Sequence, residues 1–153
     1  MQTETVRLRE LTVRYSVRKD GERRSVMVGR ALSSPKDAAS TFMTLLQDEP
    51  AEAFAMLCLS TKHRVIAYHE VSRGTLDSTL VHPREVFKAA ILANANAIIV
   101  CHCHPSGDPS PTLDDLEVTR RLVATGDLLG IAVLDHIVVG DGRYYSFKEG
   151  GRM

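Results

Sequence analysis

The sequence of 153 residues has little of what marks secreted, membrane-bound or strongly basic proteins. Its three cysteines are too few, and odd in number, for a disulfide framework, and no apolar stretch of the signal-peptide kind begins the chain. The longest uncharged apolar runs, such as residues 97–103, are far too short to span a bilayer. The charges of the 19 basic and 19 acidic side chains cancel, which argues against a protein whose entire surface binds nucleic acid. We therefore expect a cytoplasmic domain without a membrane segment.

The length and the composition fit one globular domain rather than two. Hydrophobic residues at 44% and charged residues at 25% are ordinary values for a protein with its own core. Residues 1–30 stand apart, because they carry twice as many basic as acidic side chains, and apolar alternation around Asp20-Gly21 predicts a β-hairpin. We expect residues 1–33 to form this N-terminal basic β-hairpin as part of the same unit as residues 34–153.

The basic side chains within residues 7–30 leave two interpretations open. They either form the solvated outer face of the hairpin or offer a weak contact to nucleic acid. A contact of the second kind would weaken steeply as salt is added, since it depends on charge.

The rest of the chain alternates between strand and helix signals. Ser34 as N-cap and Pro35 at the first helical position open one helix, and Pro83 opens a second. A third helix is predicted over residues 113–129, ended by Gly130. The predicted strands are residues 53–59, 64–71, 97–101, 131–139 and 144–147. This alternation indicates an α/β architecture with helices packed on a sheet, and leaves the strand order open.

One polar stretch, residues 102–115, carries the groups that can do chemistry. His102 and His104 lie two apart at the end of a buried strand, so both imidazoles leave the same face with Cα atoms about 7 Å apart. Two ring nitrogens can then converge on one ion, and the loop that follows can fold Asp115 back toward them. Two histidines and one carboxylate leave the fourth tetrahedral position open for water, which is the layout of a catalytic zinc site.

Other interpretations of the same residues stay open. Asp115 lies three residues after Thr112, and this spacing also predicts a capping box at the start of the third helix. Cys101 and Cys103 alternate with the histidines, point to the opposite face and are expected to be small buried hydrophobes.

The spacing His-x-His, seven residues, Thr112, two residues, Asp115 resembles the JAMM metallopeptidase signature of MPN-type domains. Residues 70–76, 81–85, 104–109 and 134–136 resemble the RadC-like branch of these JAB/MPN domains in particular, and the resemblance covers roughly residues 34–147. It implies a three-layer α/β/α fold with a mixed sheet, similar to cytidine deaminases. It also implies one Zn²⁺ per chain, held by His102, His104 and Asp115. The deaminase pattern itself, His-x-Glu followed by Pro-Cys-x-x-Cys, is absent.

The resemblance also implies a catalytic acid upstream of the histidines, and Glu70 is the matching position. Glu70 would take a proton from the attacking water and later give it to the leaving amine. Glu85 is the rival, although acids are expected in the first turn of any helix. Thr112 stands where the family signature has serine. Its hydroxyl can still donate to a developing oxyanion, but its extra methyl group restricts the rotamer.

The function that these residues imply is a zinc-dependent metallohydrolase that cleaves a peptide or isopeptide bond in a peptide or protein substrate. The alternative is a DNA-associated module, of the kind the family's repair label suggests, with a structural or vestigial zinc site. Nuclease or deaminase chemistry on the same scaffold is a weaker third hypothesis. We expect structural roles for His82, before Pro83, and for His136 on a late strand. The substrate and the oligomeric state are left open by the sequence.

Overall fold

The computed structural model describes residues 29–46, 51–74 and 81–153. Most of the expected basic hairpin, and the contact expected within residues 7–30, therefore lie outside the described residues apart from Gly29 and Arg30. In chain order the elements are α1 (Pro35–Leu46), β1 (Ala53–Leu59), β2 (Val65–Arg73), α2 (Pro83–Leu92), β3 (Ala97–Cys103), α3 (Leu113–Leu129), β4 (Ala132–Gly140) and β5 (Arg143–Ser146).

The five strands form one mixed sheet in the order β2-β1-β3-β4-β5. β1 is antiparallel to both of its neighbours, β3 and β4 run parallel, and β5 returns antiparallel to β4. Helix α3 is the crossover between the two parallel strands, as a parallel pair requires. Every residue of β1 and β3 is buried, because helices cover both faces of these central strands.

Two separate apolar clusters fill the spaces on either side of the sheet. The cluster under α1 includes Phe42, Leu57 and Cys101, whereas the cluster under α2 and α3 includes Phe87, Val100 and Leu122. The predicted α/β class and its helix–sheet–helix layering are therefore confirmed. Among the described helices, none combines the length and the apolar content that a bilayer crossing requires.

Helix α3 begins and ends as its sequence predicts. Thr112 is its N-cap, and Gly130 ends it in the left-handed conformation with φ of 72°. Near its end, Gly126 packs so closely that an added Cβ would lie 2.4 Å from the backbone oxygen of Ile131. A side chain at position 126 would push the helix away from the start of β4. The helix is therefore fixed at both ends, and its first turn lies over the end of β3.

Candidate metal centre

Three side chains with metal-binding atoms meet at the carboxyl end of β3. Nε2 of His102 lies 2.7 Å from Nε2 of His104. The carboxylate of Asp115 places one oxygen 3.0 Å from Nε2 of His102 and the other 3.5 Å from Nε2 of His104. All candidate ligand atoms lie within 4.8 Å of one another. In the part of the chain that the structure describes, no other group of three His, Cys, Asp or Glu side chains is arranged in this way.

Each of the three side chains is positioned by a different local feature. His102 is the penultimate residue of β3 and is 3% exposed. His104 follows the strand, with its backbone N–H donating to the carbonyl of Val139. Asp115 occupies the first turn of α3 and is held there by the capping box with Thr112. The strand end, the loop and the helix start therefore converge on one point.

The loop between β3 and α3 can lie close to β4 because two glycines leave room for the backbones to approach. Gly107 adopts a φ of 84°, and an added Cβ on Gly140 would lie 2.9 Å from the backbone of Gly107. Arg143 donates a hydrogen bond to the carbonyl of Gly107. The backbone oxygen of Asp108 thereby stays 2.7 Å from Nδ1 of His104.

The electrostatics of the cluster favour positive charge. Burial alone would raise the pKa of Asp115, but hydrogen bonds from His102 and His104 outweigh burial and hold that pKa far below its usual range. The pKa of His104 is raised, mainly by its hydrogen bond to Asp115 and against the effect of its own burial. The point where these groups meet therefore suits a proton or a metal ion.

The donor set fits zinc. Ligand atoms of a tetrahedral zinc with bonds of about 2.0–2.1 Å lie about 3.3 Å apart, and the separations of 2.7, 3.0 and 3.5 Å fall on either side of that value. Since a carbonyl oxygen can only accept, Nδ1 of His104 donates to Asp108. Nε2 of a neutral His104 then presents its lone pair to the cluster. Two imidazoles and one carboxylate leave a fourth position open, as in catalytic rather than structural zinc sites.

Behind His102 lies a second, fully buried histidine. Nε2 of His136 is 3.0 Å from Nδ1 of His102, and Nδ1 of His136 is 2.6 Å from the hydroxyl of Thr119. Burial, together with the neighbouring His102, holds the pKa of His136 well below its usual range, so this ring is neutral. The expected structural role of His136 is confirmed in that the ring is buried and bonded to its neighbours. His82 likewise acts as the N-cap of α2, as expected.

Thr112 and Asp115 form the predicted capping box, which coexists with the metal-binding geometry. The hydroxyl oxygen of Thr112 accepts from the backbone N–H of Asp115 at 3.1 Å, and the Asp115 carboxylate accepts from the backbone N–H of Thr112 at 2.7 Å. The two interpretations of Asp115 are thus both satisfied by one carboxylate. The hydroxyl proton of Thr112 is not used by the cap and remains available as a donor.

The structure does not bring Glu70 to the cluster. Glu70 pairs with Ala55, which belongs to the core under α1, whereas His102 pairs with Phe54 on the opposite face. The carboxylate of Glu70 is instead engaged by the guanidinium of Arg73 at 2.7 and 2.9 Å. The rival Glu85 is half-exposed on α2 and pairs with Lys88. The catalytic role expected for Glu70 thus stays a prediction, and the geometry offers it no support.

A different carboxylate, Glu52, faces the cluster. It immediately precedes β1, whose antiparallel register with β3 pairs Phe54 with His102. Two residues further along this register, Glu52 comes opposite His104 on the face of the sheet that carries the cluster. Its charge is one of the influences that raise the pKa of His104, after the larger effect of Asp115. Sequence reasoning missed Glu52 because its position depends on the pairing of β1 with β3, which the residues alone did not predict.

Comparison with known proteins agrees with the motif. A sequence model of the RadC-like JAB domain matches residues 32–152. A UPF0758 protein of Desulfitobacterium hafniense (strain DSM 10664 / DCB-2) is 50% identical over 133 residues, which are 84% of this chain and 59% of the relative. A UPF0758 protein of Methanosarcina barkeri is 46% identical over 122 residues, 80% of this chain and 53% of the relative. One of Staphylococcus haemolyticus is 50% identical over 120 residues, 78% and 53% of the two chains.

The fold and the site define a JAB-type α/β domain with a candidate metal centre at the end of a buried strand. The chain belongs to the RadC-like JAB domain family, since the family model covers most of its length. It spans between half and two thirds of the length of the curated relatives that it matches.

Proposed function

We propose that this domain is a zinc-dependent amide hydrolase of the JAMM type, acting on a peptide or isopeptide bond in a peptide or protein substrate. The observation that carries the proposal is the open three-ligand cluster of His102, His104 and Asp115, with the carboxylate of Glu52 facing it across β1 and β3. When bound, zinc supplies Lewis acidity, which makes water a stronger acid and polarises a carbonyl oxygen.

Glu52 is the residue that we assign to proton transfer. A carboxylate next to the metal ligands, but outside the ligand set, can accept a proton from the attacking water and return it to the leaving nitrogen. Glu52 fits this role because it shares a face with the cluster and its charge acts on His104. Its position is fixed by the backbone, since the carbonyl of Glu52 accepts from the N–H of Gly74 at 2.7 Å.

Thr112 is the residue that we assign to the developing oxyanion. Its side chain is exposed at the start of α3 next to Asp115, and its hydroxyl oxygen already accepts a hydrogen bond within the cap. The remaining hydroxyl proton can be donated to a negatively charged oxygen that forms beside the metal ligands.

The test compares two variants with the same chemical change, Glu52→Gln and Glu70→Gln. Each keeps the size and polarity of the side chain but removes a base. The probes are a fluorogenic peptide library and lysine-linked isopeptide conjugates, with zinc content measured by elemental analysis. We expect Glu52→Gln to lower the rate about 10²–10⁴-fold while the zinc content stays at about one per chain. Glu70→Gln is expected to match the unmodified protein.

The opposite pattern, with activity lost only in Glu70→Gln, would return the role of base to Glu70. A zinc-loaded protein that hydrolyses none of the amide probes would favour the alternative, in which the metal is structural or vestigial. Loss of zinc in Glu52→Gln would show that Glu52 is a ligand and that the site has no open position.

A further inference from the structure

Two buried polar side chains next to the metal centre take no part in the proposed chemistry. His136 is 0% exposed on β4, and Thr119 is 1% exposed on α3. Buried polar groups are costly unless they are hydrogen-bonded, so a histidine and a threonine buried between α3 and the sheet need a reason to be there. Their hydrogen bonds run from one candidate ligand to another.

The direction of each hydrogen bond follows from counting protons. The hydroxyl of Thr119 lies 2.7 Å from the backbone oxygen of Asp115 and 2.6 Å from Nδ1 of His136. A carbonyl oxygen can only accept, so the single hydroxyl proton of Thr119 is donated to Asp115. Thr119 must then accept from His136, which requires the proton of His136 to be on Nδ1.

The same counting continues from His136 to His102. His136 has no carboxylate among its hydrogen-bonding partners, which are a hydroxyl and an imidazole, and its ring is completely buried, so the ring is neutral. A neutral ring with its proton on Nδ1 has a lone pair on Nε2, which must accept from Nδ1 of His102, 3.0 Å away. Nδ1 of His102 therefore carries a proton, so Nε2 is the ring nitrogen that is left to bind a metal ion.

Aromatic packing holds the ring of His136 in the orientation that these hydrogen bonds require. Phe147 stacks on one side of it with ring centroids 4.6 Å apart and planes 8° apart. Phe54 packs against it edge-on at 5.6 Å. The backbone N–H of Phe147 donates to the carbonyl of His136 at 3.0 Å. A ring held in this way cannot turn to exchange its donor and its acceptor.

We propose that Thr119 and His136 form a relay of hydrogen bonds that fixes the tautomer and orientation of His102 for metal binding. The relay begins at the backbone of Asp115 and ends at His102, so it also ties the two ligands from α3 and β3 to each other. His104 has its own, separate partner in the backbone oxygen of Asp108. Thr119 and His136 are positioning residues, and the inference rests on metal binding at the cluster. Partners of this kind outside the ligand set typically change metal affinity 10–100-fold.

The test uses Thr119→Val, which removes the hydroxyl with little change of shape. His136 then loses the acceptor for its Nδ1 proton, and moving that proton to Nε2 forces His102 to accept at Nδ1 and carry its own proton on Nε2. We expect Zn²⁺ affinity, measured by competition with a chelator, to fall at least about tenfold. Thr119→Ser restores the hydroxyl and is expected to restore the affinity.

A matched control is available in the same helix. The hydroxyl of Thr125 donates to the backbone oxygen of Arg121, four residues earlier, as Thr119 does to Asp115. Thr125→Val removes this bond without touching a histidine and should leave Zn²⁺ affinity unchanged. Equal affinities in Thr119→Val and Thr125→Val would overturn the proposal.

A second measurement separates the relay from metal binding. Long-range ¹H–¹⁵N spectra of the metal-free protein report whether Nδ1 of His102 carries a proton. We expect a proton on Nδ1 of His102 in the unmodified protein and in Thr119→Ser, and none on Nδ1 in Thr119→Val. A protein that fails to bind zinc but gives this pattern would refute the proposed function and leave the relay intact. A His102 ring without a proton on Nδ1 in the unmodified protein would refute the relay even if zinc binds.

Discussion

The two faces of β3 differ at its carboxyl end, although both are apolar over the rest of the strand. Cys101 and Cys103 point into the cluster under α1, among Ile137 and Val139. His102 points toward α3, where it has a hydrogen-bonding partner on each ring nitrogen. Burial raises the pKa of Cys101 well above its usual value, so its thiol stays neutral and acts as a small hydrophobe, as the sequence predicted.

This difference predicts that the two faces contribute differently to stability and to metal binding. The face under α1 is filled with hydrocarbon and sulfur, which need no hydrogen-bonding partners. The face under α3 carries buried polar groups at the end of the strand, and these are tolerated because each has a partner. Changes on the first face should therefore affect stability, and changes on the second should affect metal binding.

The largest expected effect is loss of metal on the α3 face. His102→Ala/His104→Ala removes two of three ligands, so zinc measured by elemental analysis should fall from about one per chain to a trace. The protein should remain folded, because its two apolar clusters do not depend on the metal. Circular dichroism checks the fold. Full zinc content in this double variant would place the metal elsewhere.

The matched change on the other face is Cys101→Ser. It places a hydroxyl where the side chain is completely buried among apolar groups, and should lower the free energy of unfolding by about 1–3 kcal/mol. Zinc content should not change. If Cys101→Ser lost zinc while remaining folded, the division between the two faces would be wrong.

The next effect contrasts two buried carboxylates. Asp115 faces two imidazoles, whereas Asp135 accepts hydrogen bonds from the backbone N–H groups of His136 and Lys148 and from the hydroxyl of Ser146. Asp135 therefore ties the end of the chain to β4. Asp135→Ala leaves a buried N–H without an acceptor, and urea unfolding should show a loss of about 2–3 kcal/mol.

The two carboxylates should respond in opposite ways. Asp135→Ala is expected to keep its zinc under conditions where it is folded, and Asp115→Ala is expected to lose zinc with a smaller change in folding midpoint. The variant Asp135→Asn keeps one acceptor oxygen and should recover part of the lost stability. Identical losses of zinc in both alanine variants would show that the two carboxylates are not distinct in role.

The local parts of the site could be predicted from the sequence. Alternation along a strand places His102 and His104 on one face, and the capping-box spacing places Asp115 at the start of α3. Both patterns act over a few residues, and the structure brings the three side chains together. Within residues 29–46, 51–74 and 81–153, the sequence patterns likewise predicted the helices and strands to within a few residues.

The non-local parts could not be predicted. Glu52 comes opposite His104 because β1 pairs with β3, and His136 reaches His102 because β3 pairs with β4. Strand order depends on how the whole chain packs, and spacing along the sequence does not encode it. The family resemblance suggested Glu70 as the catalytic acid. A motif resemblance does not say how the strands pair, so it could not show whether Glu52 or Glu70 lies beside the histidines.

The smallest expected effect is a loss of stability at low pH that arises in α1, the helix packed on the face of the sheet that carries Cys101 and Cys103. Asp37 in the first turn of α1 accepts hydrogen bonds from the hydroxyl and the backbone N–H of Ser33, and these hold its pKa below the usual 3.8. A carboxyl whose pKa is lower in the folded state stabilises the protein above its unfolded pKa, and the stabilisation is lost as the pH falls through the folded value.

Asp37→Asn should therefore destabilise the protein slightly at pH 6 and not at about pH 2. Urea midpoints of the two proteins at both pH values measure this difference. A constant difference at both pH values would show that the hydrogen bonds of Asp37 matter and its charge does not. A change in the zinc content of Asp37→Asn at pH 6 would show that α1 influences metal binding on the opposite face of the sheet.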